Sequence, residues 1–143
     1  MMKKVALIAA MALAGCATSP VPIEQAQIAP QNKLLAYQNK SAVNNSTIIV
    51  VRDSGLFGVG CALAVYVDGK KSAFLDAGEK AVFYVPAGTH NVGVGSSENG
   101  LCSGMVIRNL SATTIPGVPQ NFRISMDGSG LYFTPYFINE GEL

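Results

Sequence analysis

The sequence predicts an all-β fold, an antiparallel sandwich or open barrel, and three observations carry that reading. Beyond Ser46 the chain consists of short runs rich in Val, Ile, Thr, Tyr and Phe, several of them alternating between two faces. Turn chemistry separates these runs at short intervals: Asp68-Gly69, Asp76-Ala77-Gly78-Glu79, Pro86-Ala87-Gly88 and Asp127-Gly128-Ser129-Gly130. No stretch of the same region repeats apolar residues at helical spacing over an adequate length, so the strands have only one another to bury their faces against.

The chain begins with a basic start (Lys3, Lys4), an apolar run from Val5 to Ala12, and Leu13-Ala14-Gly15 directly before Cys16. Positive flank, short apolar run and small residues together read as a secretory signal. The run falls short of the roughly 20 apolar residues that cross a bilayer. The Leu13-Ala14-Gly15-Cys16 ending resembles the lipobox of bacterial lipoproteins. That resemblance implies removal of residues 1–15, a diacylglyceryl group on the Cys16 thiol and acylation, commonly with palmitate, of the new amino terminus. Ala17 and Thr18 follow. In enterobacterial lipoproteins an aspartate at the next position favours inner-membrane retention, so the resemblance implies an outer-membrane anchor. Each buried methylene contributes about 0.8 kcal/mol, and two or three chains anchor stably without a spanning helix.

From residue 16 to 45 the composition is that of a flexible tether. Pro20, Pro22 and Pro30 punctuate it, and Gln and Asn supply polar filler of low charge. Lys33-Leu34-Leu35-Ala36-Tyr37 is the exception, a short piece expected to pack on the domain as a helical turn or strand. The sandwich domain is then expected over residues 46–143. Its first strand is Thr47-Ile48-Ile49-Val50-Val51, strongly β-branched. Ala62 to Val67 alternates, placing Leu63, Val65 and Val67 on one face. Asp68-Gly69, two residues that tolerate positive φ, predicts a tight hairpin into Ser72–Leu75. Lys80 to Val85 alternates with Ala81, Phe83 and Val85 together, and Pro86-Ala87-Gly88 turns the chain into Thr89–Val94. Met105–Leu110 and Phe122–Met126 read as further strands, the latter joined through residues 127–130 to a last strand over Leu131–Ile138.

The segment Val65-Tyr66-Val67-Asp68-Gly69-Lys70-Lys71, then Leu75 to Glu79, then Phe83-Tyr84-Val85-Pro86-Ala87-Gly88-Thr89-His90, resembles the repeat of PEGA-type domains of bacterial lipoproteins. The match covers about residues 62–94 and implies a small prealbumin-like β-sandwich. It implies no catalytic residues, and the two cysteines and glycine-rich flanks of this chain depart from the minimal repeat.

Once Cys16 is assigned to lipid, Cys61 and Cys102 remain. In an exported protein an even remainder points to one disulfide. Closing a loop of about 40 residues would contribute roughly 4 kcal/mol in the chain-entropy model. The alternatives are two buried free thiols or a metal pair, for which the spacing lacks the clustering of a zinc site even with His90 as third ligand. No metal or other cofactor is expected beyond the covalent lipid on Cys16.

Without Lys3 and Lys4 the chain keeps eight Lys/Arg (10 less 2) against nine Asp/Glu, with no basic stripe, so nucleic acid is not expected as a partner. His90 is the sole imidazole, and no acid or nucleophile is nominated beside it. Its position after Gly88-Thr89 reads as turn support. No Gly-x-Ser-x-Gly elbow occurs. Gly58-Val59-Gly60 lacks the third glycine of a dinucleotide loop and is followed by a strand. Asp53, Asp68, Asp76, Glu79, Glu98 and Asp127 are scattered, mostly at turns, and residues 127–130 lack the ligand run of a calcium loop. Leu56 and Phe57, between Gly55 and Gly58, have two readings: plugs for the end of the sandwich, or an exposed partner-binding loop beside the bridge.

The functional expectation is therefore a lipid-anchored envelope lipoprotein facing the periplasm, with a non-catalytic binding or structural role and an envelope protein as candidate partner. Its rivals are a small envelope hydrolase using His90 and a carrier of a small ligand in a barrel mouth, which needs an apolar cavity.

Overall fold

The computed structural model describes residues 17–56, 58, 60–97 and 107–138. Within them nine strands run in chain order: β1 (Gln27–Ile28), β2 (Ser46–Arg52), β3 (Leu63–Val67), β4 (Lys70–Leu75), β5 (Glu79–Val85), β6 (Gly88–Ser96), β7 (Arg108–Thr114), β8 (Gln120–Asp127) and β9 (Gly130–Pro135). They form two sheets, β1-β5-β2-β8-β9 and β4-β3-β6-β7. Apolar side chains of both sheets meet in one core, with Ile48, Val50, Phe83 and Ile124 from the first and Leu63, Val65, Leu75 and Val94 from the second. The all-β sandwich is thus observed. The inward face expected from alternation is also observed: Leu63, Val65, Val67, Phe83 and Val85 are all buried in that core.

Local chemistry explains the tight connections. Asp68 has φ 50° and Gly69 φ 77°. Positive φ at both central residues is what the right-handed twist of a two-residue hairpin demands. The β8–β9 turn is equally short, with Asp127 paired to Gly130 and the Asp127 carboxylate accepting the Ser129 N–H at 2.7 Å.

Four features depart from expectation. The first sheet is mixed, because β2 runs parallel to β8 and β1 parallel to β5. Parallel neighbours need long crossovers and leave no turn between them in the sequence. The strand expected at Met105–Leu110 is instead β7 at Arg108–Thr114, paired with β6 from Arg108–Val94 to Thr114–Gly88. Its polar, β-branched half (Ser111 to Thr114) carries no apolar run to mark it, and Met105 and Val106 lie outside the described residues. The last strand stops at Pro135 rather than Ile138.

The fourth departure concerns residues 17–45, read as a flexible tether. Their described conformation is a strap docked along the sandwich. Ala17 bridges Asp127 and Ser19 bridges Ser54. Farther on, β1 covers the exposed edge of β5, and the Ala29 N–H donates to the Lys80 carbonyl at 2.9 Å. A 3-10 turn at Gln31–Lys33 carries the chain to the other sheet. There Leu34 bridges Ala73, and the Leu35 and Ala36 N–H groups both donate to the Ser72 carbonyl, freed by a bulge in the β3–β4 register. The strap therefore laces the β5 edge of one sheet to the β4 edge of the other. Lys33 fastens the crossing through ion pairs to Asp76 at 2.7 Å and Glu79 at 2.5 Å. Leu34 and Tyr37 pack against the core, as expected for the Lys33–Tyr37 piece. Composition misread the strap because its docking relies mainly on backbone hydrogen bonds to open strand edges, which proteins commonly cover.

Candidate functional site

The register gathers the notable features at two opposite ends of the sandwich. At one end β2 finishes at Arg52, opposite Ile124, while β8 finishes at Asp127 beside Ala17. The Arg52 guanidinium brings the second sheet to the same end. It donates to the carbonyls of Cys61 at 2.5 Å, Leu75 at 2.7 Å and Gly58 at 2.9 Å. Gly58 has φ 72°, and a Cβ there would sit 2.9 Å from the Met126 sulfur. The positive φ favours glycine here, and a side chain would also have to displace the end of Met126. The loop that carries Leu56 is thus pinned by a buried cation while Leu56 itself is 84% exposed. Leu56 is no plug. Phe57 lies outside the described residues, so the pair is observed only in its first member.

A second cation organises the outer face at this end. Asp53, 1% exposed, accepts from Arg123 Nε at 2.8 Å and Nη2 at 2.9 Å. Thr18 Oγ1 donates to the same carboxylate at 2.8 Å and itself accepts the Met126 N–H at 3.0 Å. The strap is therefore locked at its first residues into a buried ion pair. Sequence reasoning passed over Arg52 and Arg123 and read Asp53 only as one of several scattered carboxylates, mostly at turns. The available signal was charge inside apolar β runs, since Arg123 sits between Phe122 and Ile124 and Arg52 directly follows Val51. Beside this pair a cleft of about 340 Å³ opens on the outer face, its walls including Ala17, Thr18, Arg123, Tyr132 and Phe137.

The opposite end holds the Asp68-Gly69 hairpin, the Pro86 turn and His90. His90 Nδ1 lies 2.7 Å from Asp68 Oδ2 and Nε2 lies 2.7 Å from the Pro86 carbonyl. Both partners are acceptors, so only the doubly protonated ring satisfies both contacts. Partial burial disfavours that charge, but the hydrogen bonds to Asp68 and Pro86 outweigh it and raise His90 above its ordinary 6.5. Burial likewise works against the Asp68 carboxylate, yet His90 and the Asn91 N–H lower it below its ordinary 3.8. His90 thus ties the β3–β4 hairpin to the β5–β6 turn, as its position after Gly88-Thr89 predicts.

The tie has a pH signature. With its folded pKa raised, His90 contributes stability that is complete below 6.5 and lost as pH rises through the folded value; Asp68 contributes above 3.8 and loses its share as pH falls through its depressed value. His90→Asn is expected to lower stability by about 1 kcal/mol near pH 5.5, a charged hydrogen bond discounted for the exposure of Asp68. Urea unfolding of both proteins from pH 5 to 9 should show the gap narrowing at the alkaline end. A gap that widens there would contradict the imidazolium tie.

The remaining expected sites divide as follows. Cys61 is placed at the Arg52 end, its N–H donating to the Gly58 carbonyl at 3.1 Å. Cys102 and Cys16 lie outside the described residues, as does Glu98. Among the described residues, no three His, Cys, Asp or Glu side chains are grouped as a metal site, and no helix is long and apolar enough to cross a membrane. Comparisons with protein-family models, curated proteins and solved structures found no match for this chain.

Proposed function

We propose that this chain is a lipoprotein of the bacterial cell envelope, anchored by acylated Cys16 in the outer membrane, with its sandwich facing the periplasm in a non-catalytic binding or structural role. The observation that carries the reading is Leu13-Ala14-Gly15-Cys16 at the end of a short apolar run with a basic start. The non-catalytic part draws support from His90, whose two ring nitrogens both serve turn contacts. The PEGA-like reading draws support from the hairpin at Asp68-Gly69 and the tied turn at Pro86, both within the resembling segment. The Cys61–Cys102 disulfide belongs to the same proposal, because an exported domain matures where such a bridge persists.

Labelled palmitate fed to expressing cells should enter the wild-type protein, and Cys16→Ser should abolish incorporation and release the domain from membranes. Incorporation that survives Cys16→Ser would overturn the anchor. Non-reducing peptide mapping of the same exported protein should recover the Cys61 and Cys102 peptides cross-linked; two alkylatable thiols would remove the bridge. Turnover of an ester, peptide or glycan that vanishes in folded His90→Asn protein would overturn the non-catalytic role.

A further inference from the structure

We propose that the end of the sandwich bearing Ala17 lies against the bilayer, with Leu56 inserted at its headgroup–acyl boundary. The inference rests on the Cys16 anchor and goes beyond it, because an anchor alone leaves a domain free to hang at any distance. Consecutive Cα atoms are about 3.8 Å apart, so a lipid on Cys16 is attached one residue from the point where the chain is already fixed. Ala17 bridges Asp127, the Thr18 N–H donates to the Met126 carbonyl at 3.0 Å, and Thr18 Oγ1 is held by buried Asp53. No slack remains between membrane and fold.

The surface around that point suits an interface. Gly55, next to Leu56, would direct a Cβ to within 3.5 Å of the Thr18 Cα, which sets the Leu56 loop beside the anchor. Leu56 is 84% exposed, and Tyr132 and Phe137, lining the cleft with Ala17, are 44% and 51% exposed. Leu56 beside Thr18 and the two aromatic side chains beside Ala17 flank the attachment point with apolar surface that water disfavours and a headgroup layer accepts. Arg52 holds the carbonyls of Gly58 and Cys61, which fixes the chain at two points just beyond Leu56. The occupant is lipid rather than a protein partner because the chain length between anchor and fold brings the bilayer there in any case.

The chain contains no tryptophan, so one introduced residue reports alone. Acylated full-length Leu56→Trp and Val118→Trp proteins would be reconstituted in phosphatidylethanolamine–phosphatidylglycerol vesicles with and without brominated phosphatidylcholine. Val118 is a fair control, being exposed in the turn before β8, roughly 20–24 Å along that strand from Asp127. The Leu56→Trp protein should shift its emission to the blue and lose roughly half of it to bromine, as a side chain about 5–10 Å into the interface does. The Val118→Trp protein should show neither change. Mass spectrometry of the same samples establishes acylation. Acylated protein in which Leu56→Trp is no more quenched than Val118→Trp would overturn the inference and leave the anchor standing. Absence of the lipid on Cys16 would remove the anchor, and the inference with it.

Discussion

Asp53→Ala should destabilise the fold by about 3–5 kcal/mol, the usual consequence of removing one partner from a buried ion pair. Asp53 and Arg123 are both buried, and the contact is two-pronged, at 2.8 and 2.9 Å. After the substitution the Arg123 guanidinium stays buried without this carboxylate, and Thr18 loses the acceptor that fixes the start of the strap. Urea denaturation of the domain would measure the loss. The double substitution Asp53→Leu with Arg123→Met should recover much of it, because a buried pair replaced by apolar side chains of similar size is often neutral. It should not recover the hold on Thr18. Limited proteolysis would then cut near residues 17–21 faster in the double variant than in wild type, although global stability is similar. Equal stability of wild type and Asp53→Ala would show that the pair carries no such weight.

This ion pair also marks where sequence reasoning stops. Alternation in Ala81–Val85 assigns the buried face correctly, and in Leu63–Val67 it places Leu63, Val65 and Val67 in the core although Ala64 on the other face is buried too. Asp68-Gly69 and Gly128-Ser129 identify hairpins because their chemistry acts within four residues. The parallel pairing of β2 with β8 joins residues about 70 positions apart, as Val51 with Arg123 illustrates, and no local residue encodes it. The same separation divides Asp53 from Arg123, so each reads alone as an ordinary surface charge. The strap fails for a different reason. Its Gln- and Pro-rich composition is that of a spacer, while its attachment comes from N–H and C=O groups that every residue carries. Of its apolar side chains only Ala26 and Ala29 are fully buried, too little for a pattern to register. At the end of the sandwich bearing Ala17, the exposed Leu56 was one of two readings the sequence offered, while the pairing of Ala17 with Asp127 was beyond its reach.

Phe83→Ala should cost a comparable 3–5 kcal/mol, by another route. Phe83 is fully buried near the middle of β5, opposite Ile48 of β2, with Ala81 and Val85 on the same inward face. Truncation removes apolar surface from the core and opens a cavity that neighbours can fill only in part. Both terms oppose folding, and in well-packed cores the penalty grows by about 24 cal/mol per Å³ of residual void. Relaxation is limited here because β5 is held on both sides, by β2 through six register pairs and by the strap through β1. Val82→Ala supplies the contrast. Val82 points to the other face of the same strand and is only partly buried, so its truncation should cost well under half as much. Urea unfolding of the two variants at one pH distinguishes the faces directly. Near-equal losses, or a negligible effect of Phe83→Ala, would mean that the core between the sheets is not the main source of stability.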